Sequence, residues 1–312
     1  MTAAAPALEK IAHGDLTKDL DLTLEELVTL LDLAADVKQS PRDYASALAG
    51  KSIAMLFEKP SLRTRMTFEL AIQQLGGFAL VNEGPIGVRE PLKDMARNLD
   101  RWVNGIVART FLQKTVDGLA QWSKAPVINA LSDMYHPCQA LADMQTIREH
   151  FGDMRGVKFA FVGDGNNMAH SLMLDAARLG MDFALATPKK YEANADVIAE
   201  ARALAACSEA KFTITHDPAE AAAGAHVIYT DVWASMGAEN EAAERRTAFA
   251  DYQVDDDLFR HADPNAIFMH CLPAKRGEEV TDSVIESPRS VVFDQAENRL
   301  HAQKALLLML LA

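Results

Sequence analysis

From residue 52 onward the chain alternates short apolar runs with longer amphipathic stretches, and this alternation restricts the fold more than any other feature. "SIAMLF", "FALVN", "GIVART", "PVINAL", "KFAFVGD", "DFALAT", "KFTITHD", "HVIYTD", "AIFMHCLP" and "SVVFDQ" read as strands. Between them, "MTFELAIQQLGG", "PLKDMARNLDRWVN", "NMAHSLMLDAARLG" and "ADVIAEARALAA" carry apolar residues at helical spacing. Strands separated by whole helices cannot pair as hairpins, so the sheets are expected to be parallel and covered on both faces. A chain of 312 residues exceeds what one core usually serves, and the pattern restarts after the charged turn "REHFGDMRG". The expected fold is α/β, with two doubly wound parallel-sheet domains joined by helices, spanning 1–150 and 151–312.

The charge balance narrows the partners. A net charge of −13 repels nucleic acid and anionic membranes, so a local basic cluster is expected to serve a small anion. The N-terminal segment is broken by Glu9, Lys10 and Asp15 before any apolar core forms, which does not fit a signal peptide. No stretch approaches the ~20 apolar residues that span a bilayer, and "ALLLMLLA" reads as the buried end of a helix. Cys138, Cys207 and Cys271 are odd in number and widely spaced, neither a disulfide framework nor a metal motif. A cytoplasmic, reduced protein is expected.

In doubly wound folds the ligand lies beyond the carboxyl ends of the strands. The polar clusters of the first half fall there. "FEKPSLRTR" follows a strand and places Ser61, Arg63, Thr64 and Arg65 before a helix. A capped helix with solvated arginines is one reading. The other is an oxyanion cradle of helix N–H groups, hydroxyls and a guanidinium, with one of the two arginines turned inward. Arg109 ends "GIVART", and "SDMYHPCQALAD" sets His136 and Gln139 on one side of a helix start at Pro137. "GKS" at residues 50–52 precedes a strand and lacks the P-loop glycine.

The second half differs. "FVGDGNNMAHS" resembles a dinucleotide turn but carries Met168 at the third glycine, so NAD is not expected, and Asn166 and Asn167 offer amides to a ligand. Asp231 ends "HVIYTD" ahead of a loop holding Trp233, Ser235 and Met236, with Gly237 as a hinge expected to close on substrate. Cys271 ends "AIFMHC" before Pro273. Burial alone would account for that cysteine. Asn167, Asp231 and Cys271 together suit a cationic amine with an amino-acid head group.

"FEKPSLRTR", "ART", "HPCQALAD", "GDGNN", "TDVWASMG", "HCLPAKRGEEVTD" and "FDQAENRLHAQKA" stand in the order and spacing of the ornithine carbamoyltransferases, which the chain resembles over nearly its whole length. Aspartate carbamoyltransferases are similar in the first half only. The resemblance implies transfer of the carbamoyl group of carbamoyl phosphate to L-ornithine, giving L-citrulline and phosphate in arginine metabolism, with no metal or other cofactor. It implies that Ser61, Leu62, Arg63 and Thr64 hold the phosphate, with Arg109, His136, Gln139 and Arg299 around the carbamoyl group. Asn167, Asp231, Ser235 and Met236 would hold ornithine, and Cys271 and Leu272 would lie between the two ligands. Arg63, Arg109, His136, Asp231 and Cys271 are the expected catalytic set, with the proton acceptor left open between Asp231 and Cys271. The last helix, about 296–312, would pack back on the first domain, and the assembly would be a homotrimer or a multiple of trimers.

Two positions depart from the family pattern. Leu62 stands where many relatives have threonine, though its backbone N–H remains available to phosphate. Pro85, in "NEGPIGVREP", stands where relatives often carry a side chain that reaches a neighbouring subunit's site, leaving Arg89 as a substitute or the amine slightly altered. Putrescine or an N-acylated ornithine as acceptor, or a catalytically silent ligand-binding subunit, are the alternatives.

Overall fold

The computed structural model describes residues 9–234 and 239–312. The chain forms two compact units, Met1–Gln145 with Glu297–Ala312, and Thr146–Ala296. In chain order the first half contains α1 (Leu24–Gln39), β1 (Ser52–Phe57), α2 (Leu62–Gln74), β2 (Phe78–Glu83), α3 (Leu92–Leu99), β3 (Gly105–Arg109), α4 (Gln113–Trp122), β4 (Val127–Leu131) and α5 (Pro137–Phe151). The second contains β5 (Lys158–Val162), α6 (Asn167–Arg178), β6 (Asp182–Ala186), α7 (Ala195–Ser208), β7 (Phe212–Thr215), α8 (Pro218–Ala222) and β8 (Val227–Thr230). It continues with α9 (Ala242–Ala248), α10 (Asp256–Phe259), β9 (Ile267–His270), α11 (Asp282–Ile285) and α12 (Val292–Leu311).

Both sheets are parallel throughout. The first has the strand order β2-β1-β3-β4 and the second β7-β6-β5-β8-β9. In each, the chain winds outward from a starting strand and then returns to its other side. The first sheet therefore reverses direction between β1 and β3, the second between β5 and β8. At such a reversal the flanking loops diverge and leave a crevice beyond the strand ends. The alternation of runs in the sequence is thus borne out as two doubly wound α/β units, and most of α12 belongs to the first of them.

Local chemistry fixes the elements that carry these crevices. β1 and β3 are buried almost end to end, as strands covered on both faces must be, with Ala54, Leu56, Ile106 and Ala108 joining Val116 and Leu119 of α4 in one core. In the second unit Ala160, Val162 and Ile228 meet Phe249, Phe259 and Phe268. Burying each of the Val, Leu, Ile and Phe side chains contributes roughly 1.5–3 kcal/mol. α1 starts with a reciprocal capping box, Thr23 Oγ1 accepting from the Glu26 N–H at 3.1 Å and Glu26 Oε2 from the Thr23 N–H at 2.7 Å.

Two elements differ from the sequence reading. α2 begins at Leu62, a full turn before the apolar period at Met66, because Ser61 takes an extended backbone and its Oγ accepts from the Thr64 N–H at 3.3 Å. The segment "SVVFDQ" is not a strand. Ser290 makes a single bridge to Phe268, and α12 is under way from Val292. The Gln295 side chain supplies the acceptor that a further strand would have offered, its Oε1 taking the His270 N–H at 2.9 Å.

Candidate active site

In the first unit the crevice lies at the ends of β1 and β3. Parallel register sets Phe57 opposite Arg109, so the guanidinium emerges beside the loop that leads into α2. First-turn N–H groups of a helix lack intrahelical acceptors, and the helix dipole makes that end positive. Thr64, in this turn, is 1% exposed, and its Oγ1 accepts from Arg299 Nη2 at 2.6 Å and from Arg109 Nη1 at 3.4 Å. Two guanidiniums are therefore buried on one hydroxyl. Such a pair is mutually repulsive and poorly solvated, and it gains from an anion that accepts from both.

The two arginines of "SLRTR" separate. Arg65 is turned to acidic side chains, with Nη1 on Glu83 at 2.5 Å and Nε on Glu69 at 3.2 Å. Arg63 lies in the same first turn of α2 as Thr64. Leu62 leaves its side chain 71% exposed, so only its backbone can serve the cradle.

His136 and Gln139 are buried at the start of α5, 5% and 1% exposed. Burial, followed by the charges of Arg299 and Arg109, pulls the His136 imidazolium well below its ordinary pKa. His136 is thus a neutral imidazole. Gln139 spends its amide N–H₂ on Asp143 Oδ1 at 2.8 Å, and its carbonyl Oε1 is buried with no hydrogen-bond partner among the described residues. A ligand that donates N–H to that oxygen completes it.

An NMR titration of the His136 ring is accordingly expected to show no ionisation near 6.5. A group titrating there and lost in His136→Gln would contradict the neutral assignment. Stability carries the matching sign. Below pH ~6.5 the unfolded chain takes up this proton and the folded chain does not, so His136 makes stability fall as pH falls from that point toward its folded pKa. His136→Gln should flatten that slope in pH-dependent thermal melts.

The crevice of the second unit lies at the ends of β5 and β8. Asn166 caps α6, its Oδ1 accepting from the Met168 and Ala169 N–H groups at 2.9 and 3.2 Å. Its Nδ2 donates to Asp231 Oδ2 at 3.0 Å. Asn167 opens α6 itself, while Met168 is packed in the core. Gly165 is required by packing: a Cβ there would fall 2.2 Å from the Ala193 nitrogen. The second glycine of "GDGNN" therefore fits this helix start against the loop ahead of α7.

Register sets Thr230 opposite His270, which places Asp231 beside Cys271. The Cys271 thiol donates to Asp231 Oδ1 at 3.1 Å, and the Val232 N–H donates to the same oxygen at 2.8 Å. Leu272 follows with φ 56° and its N–H on His270 Nδ1 at 2.8 Å. The other imidazole nitrogen, Nε2, faces Glu279 Oε1 at 3.1 Å in a fully buried pair. His270 therefore carries its proton on Nε2 and holds the backbone after Cys271. Asp231, His270 and Cys271 bring metal-ligating atoms within 4.8 Å of one another, but each of those residues is engaged in the hydrogen bonds just described. Ser235, Met236 and the hinge expected at Gly237 lie outside the described residues.

The site residues named from sequence thus form two sets, Thr64, Arg109 and Arg299 with His136 nearby in the first unit, and Asn166, Asp231 and Cys271 in the second. Sequence reasoning missed Glu58 and the His270–Glu279 pair, whose partners are backbone groups or lie in other loops. It also missed Arg245, which donates to Asp164 Oδ2 at 2.8 Å and to the Trp233 carbonyl at 2.9 Å.

A pair of guanidiniums that attracts an anion thus lies in one unit and a carboxylate–thiol pair in the other. Two family models divide this chain in the same way. The carbamoyl-P binding domain of aspartate/ornithine carbamoyltransferase matches residues 15–149 and the Asp/Orn binding domain matches 155–310. The ornithine carbamoyltransferase of Thermococcus kodakarensis is 53% identical over 306 residues, 96% of this chain and 97% of that protein. The structure of ornithine carbamoyltransferase from Pyrococcus furiosus superposes with a TM-score of 0.94 at 51% identity, covering 97% of this chain and 98% of that one. Acetylornithine transcarbamylase, complexed with acetylcitrulline, reaches a TM-score of 0.86 at 33% identity, covering 95% and 98%. The chain belongs to the aspartate/ornithine carbamoyltransferase family.

Proposed function

We propose that the chain transfers the carbamoyl group of carbamoyl phosphate to the side-chain amine of L-ornithine, giving L-citrulline and phosphate. The observation that carries this reading is the convergence of Arg109 and Arg299 on Thr64, with neutral His136 beside them, at the N-terminus of α2. Phosphate occupies the helix terminus, with Ser61, Arg63 and the Leu62 N–H. Thr64, Arg109 and His136 face the carbamoyl oxygen, where negative charge grows during attack. The carbamoyl N–H₂ supplies the donor that Gln139 Oε1 requires.

The nucleophile is the neutral amine. Its lone pair forms the new C–N bond, the C–O bond to phosphate breaks with its electrons leaving on phosphate, and the nitrogen gives up one proton. An alkylammonium in water titrates near a lysine, at about 10, so the amine must be held deprotonated. Asp231, which already accepts from the Cys271 thiol, orients it. Asn167, Ser235 and Met236 complete ornithine recognition, and Cys271 and Leu272 keep the roles toward the carbamoyl group that the family resemblance implies. Ornithine is favoured over its acetylated form because identity is 51% to the ornithine enzyme and 33% to the acetylornithine enzyme.

Among the described residues no helix is long and apolar enough to cross a membrane, and all three cysteines are free thiols, which supports action in the reducing cytoplasm. The assembly proposed is a closed homotrimer or a multiple of it. α2 exposes Leu62, Met66 and Leu70 at successive turns, and the edge strand β2 exposes Phe78 and Leu80 beside them in sequence, surface that a second copy would cover. A colorimetric ureido assay with carbamoyl phosphate and ornithine, putrescine, acetylornithine or aspartate should give product with ornithine at least tenfold faster than with the others. Preference for another amine would overturn the assignment, and a fully active monomer in sedimentation would overturn the assembly.

A further inference from the structure

Resting on the carbamoyl-phosphate reading of the first crevice, we propose that Glu58 is a positioning residue that sets Arg109 for the reaction by tying together the loops on both sides of the chain reversal. β1 ends at Phe57, and the pairing continues one step further: the Glu58 N–H donates to the Arg109 carbonyl at 2.9 Å. The Glu58 side chain then reaches both ways. Its Oε2 accepts from the Phe111 N–H at 2.9 Å, two residues beyond Arg109. Its Oε1 accepts from the Ile86 N–H at 3.0 Å, in the loop that follows β2. The Arg109 carbonyl and the Phe111 N–H that follows it are thereby held by one residue, which also grips the loop after β2.

The neighbouring groups reinforce the tie. The Lys59 ammonium lies 4.8 Å from the centre of the Phe111 ring, a further link from the segment after β1 to the one after β3. Ile86 is itself buried, anchoring the far loop, and the Gly84 N–H donates to the Phe57 carbonyl at 2.9 Å. A carboxylate near an anion pocket repels its ligand, so a negative charge here needs a compensating use. Glu58 spends both oxygens on backbone donors, bonds that a charged acceptor makes stronger than a neutral one does. Neither oxygen can be given up without releasing one loop. An amide in its place turns an N–H₂ toward one of the two backbone N–H groups, and an aspartate is one methylene too short to span them.

A displacement of Arg109 by about 1 Å is enough to cost catalysis heavily, because its guanidinium must meet the carbamoyl oxygen as charge develops. Glu58→Gln should therefore lower kcat/KM for carbamoyl phosphate roughly tenfold while leaving the KM for ornithine, at saturating carbamoyl phosphate, within about twofold. A residue that only supported the fold would lower the fraction of active enzyme and leave both KM values alone. The decisive measurement repeats the substitution in Arg109→Ala. If Glu58 acts through Arg109, Glu58→Gln costs less than about twofold in that background. Glu58→Asp, which keeps the charge, serves for the same comparison should Glu58→Gln not fold. An equal tenfold loss in both backgrounds, or no loss in the parent, overturns the role of Glu58. Near-parental turnover in Arg109→Ala alone would instead overturn the carbamoyl-phosphate assignment of Arg109, so the two failures are told apart.

Discussion

Replacing Arg109 by alanine should lower kcat/KM for carbamoyl phosphate by about 10²- to 10³-fold, the usual loss for one preorganised donor in an oxyanion site. The expectation follows from burial and direction. Arg109 is 6% exposed, is held at the end of β3 opposite Phe57, and shares Thr64 Oγ1 with Arg299. Lysine should rescue little, since it offers a point charge where a planar fork is already oriented. The fold should survive. In the unliganded protein Arg109 and Arg299 repel each other, so deleting one removes an unfavourable term as well as a hydrogen bond, and the melting temperature should move by only a few degrees. What should disappear is the stabilisation that carbamoyl phosphate or inorganic phosphate gives in thermal melts, because a ligand raises the midpoint only as far as it binds the folded state. Arg63→Ala is expected to behave similarly on the phosphate side. Parental turnover in either variant would remove that residue from the site.

The substitution also probes His136. Its imidazolium is disfavoured by burial first and by the Arg299 and Arg109 charges next. Without Arg109 one of the three causes is gone, and the His136 pKa should rise toward its ordinary value. An NMR titration of that ring in the variant would register the change, and no movement would mean that the two charges do not sense each other.

Much of this arrangement was legible from short windows of sequence, because it rests on local rules. Alternating apolar runs and helical periods need only neighbours in sequence to be recognised, and a ligand crevice at strand ends follows from the winding of the chain. Ser61 as a helix cap and Asp231 at a strand end are read in the same way. Arg299 is different. It reaches Thr64 across 235 residues, and nothing within α12 marks it apart from other polar residues of that helix, so only likeness to a family pointed to it. Glu279 shows the same limit: in "GEEV" the first glutamate is partly exposed and the second fully buried against His270, a difference that adjacent identical residues cannot announce. "SVVFDQ" misled because two β-branched residues outweighed the helix start, while the deciding partner, His270, lies on β9. Glu58 was invisible for a related reason, since both of its partners are backbone N–H groups and carry no side-chain signature.

Asp231→Asn should divide the two substrates more sharply than any other single change. Oδ1 of Asp231 accepts from the Cys271 thiol and the Val232 N–H, while Oδ2 accepts from Asn166 Nδ2. Every one of these partners is a donor, so the site is built around an acceptor-only group. An asparagine keeps its carbonyl on the two-donor side and turns N–H₂ toward the Asn166 amide, which is also donating. One contact is lost and the negative charge with it. The attacking amine then has no carboxylate to orient it or to help carry away its proton, and losses of about 10²- to 10⁴-fold are typical when such a group is removed. The loss should fall on kcat/KM for ornithine. Carbamoyl-phosphate binding, followed by calorimetry, should remain within a few-fold, since Thr64, Arg109, Arg299 and His136 all belong to the other unit. Cys271→Ser refines the assignment, because a hydroxyl can still donate to Asp231 Oδ1 and should cost far less than the aspartate substitution if the carboxylate is the acting group. A larger loss in Cys271→Ser than in Asp231→Asn would transfer the proton role to the thiol, and equal damage to both substrates in Asp231→Asn would mean that Asp231 holds the β8 and β9 strand ends together and does not read the amine.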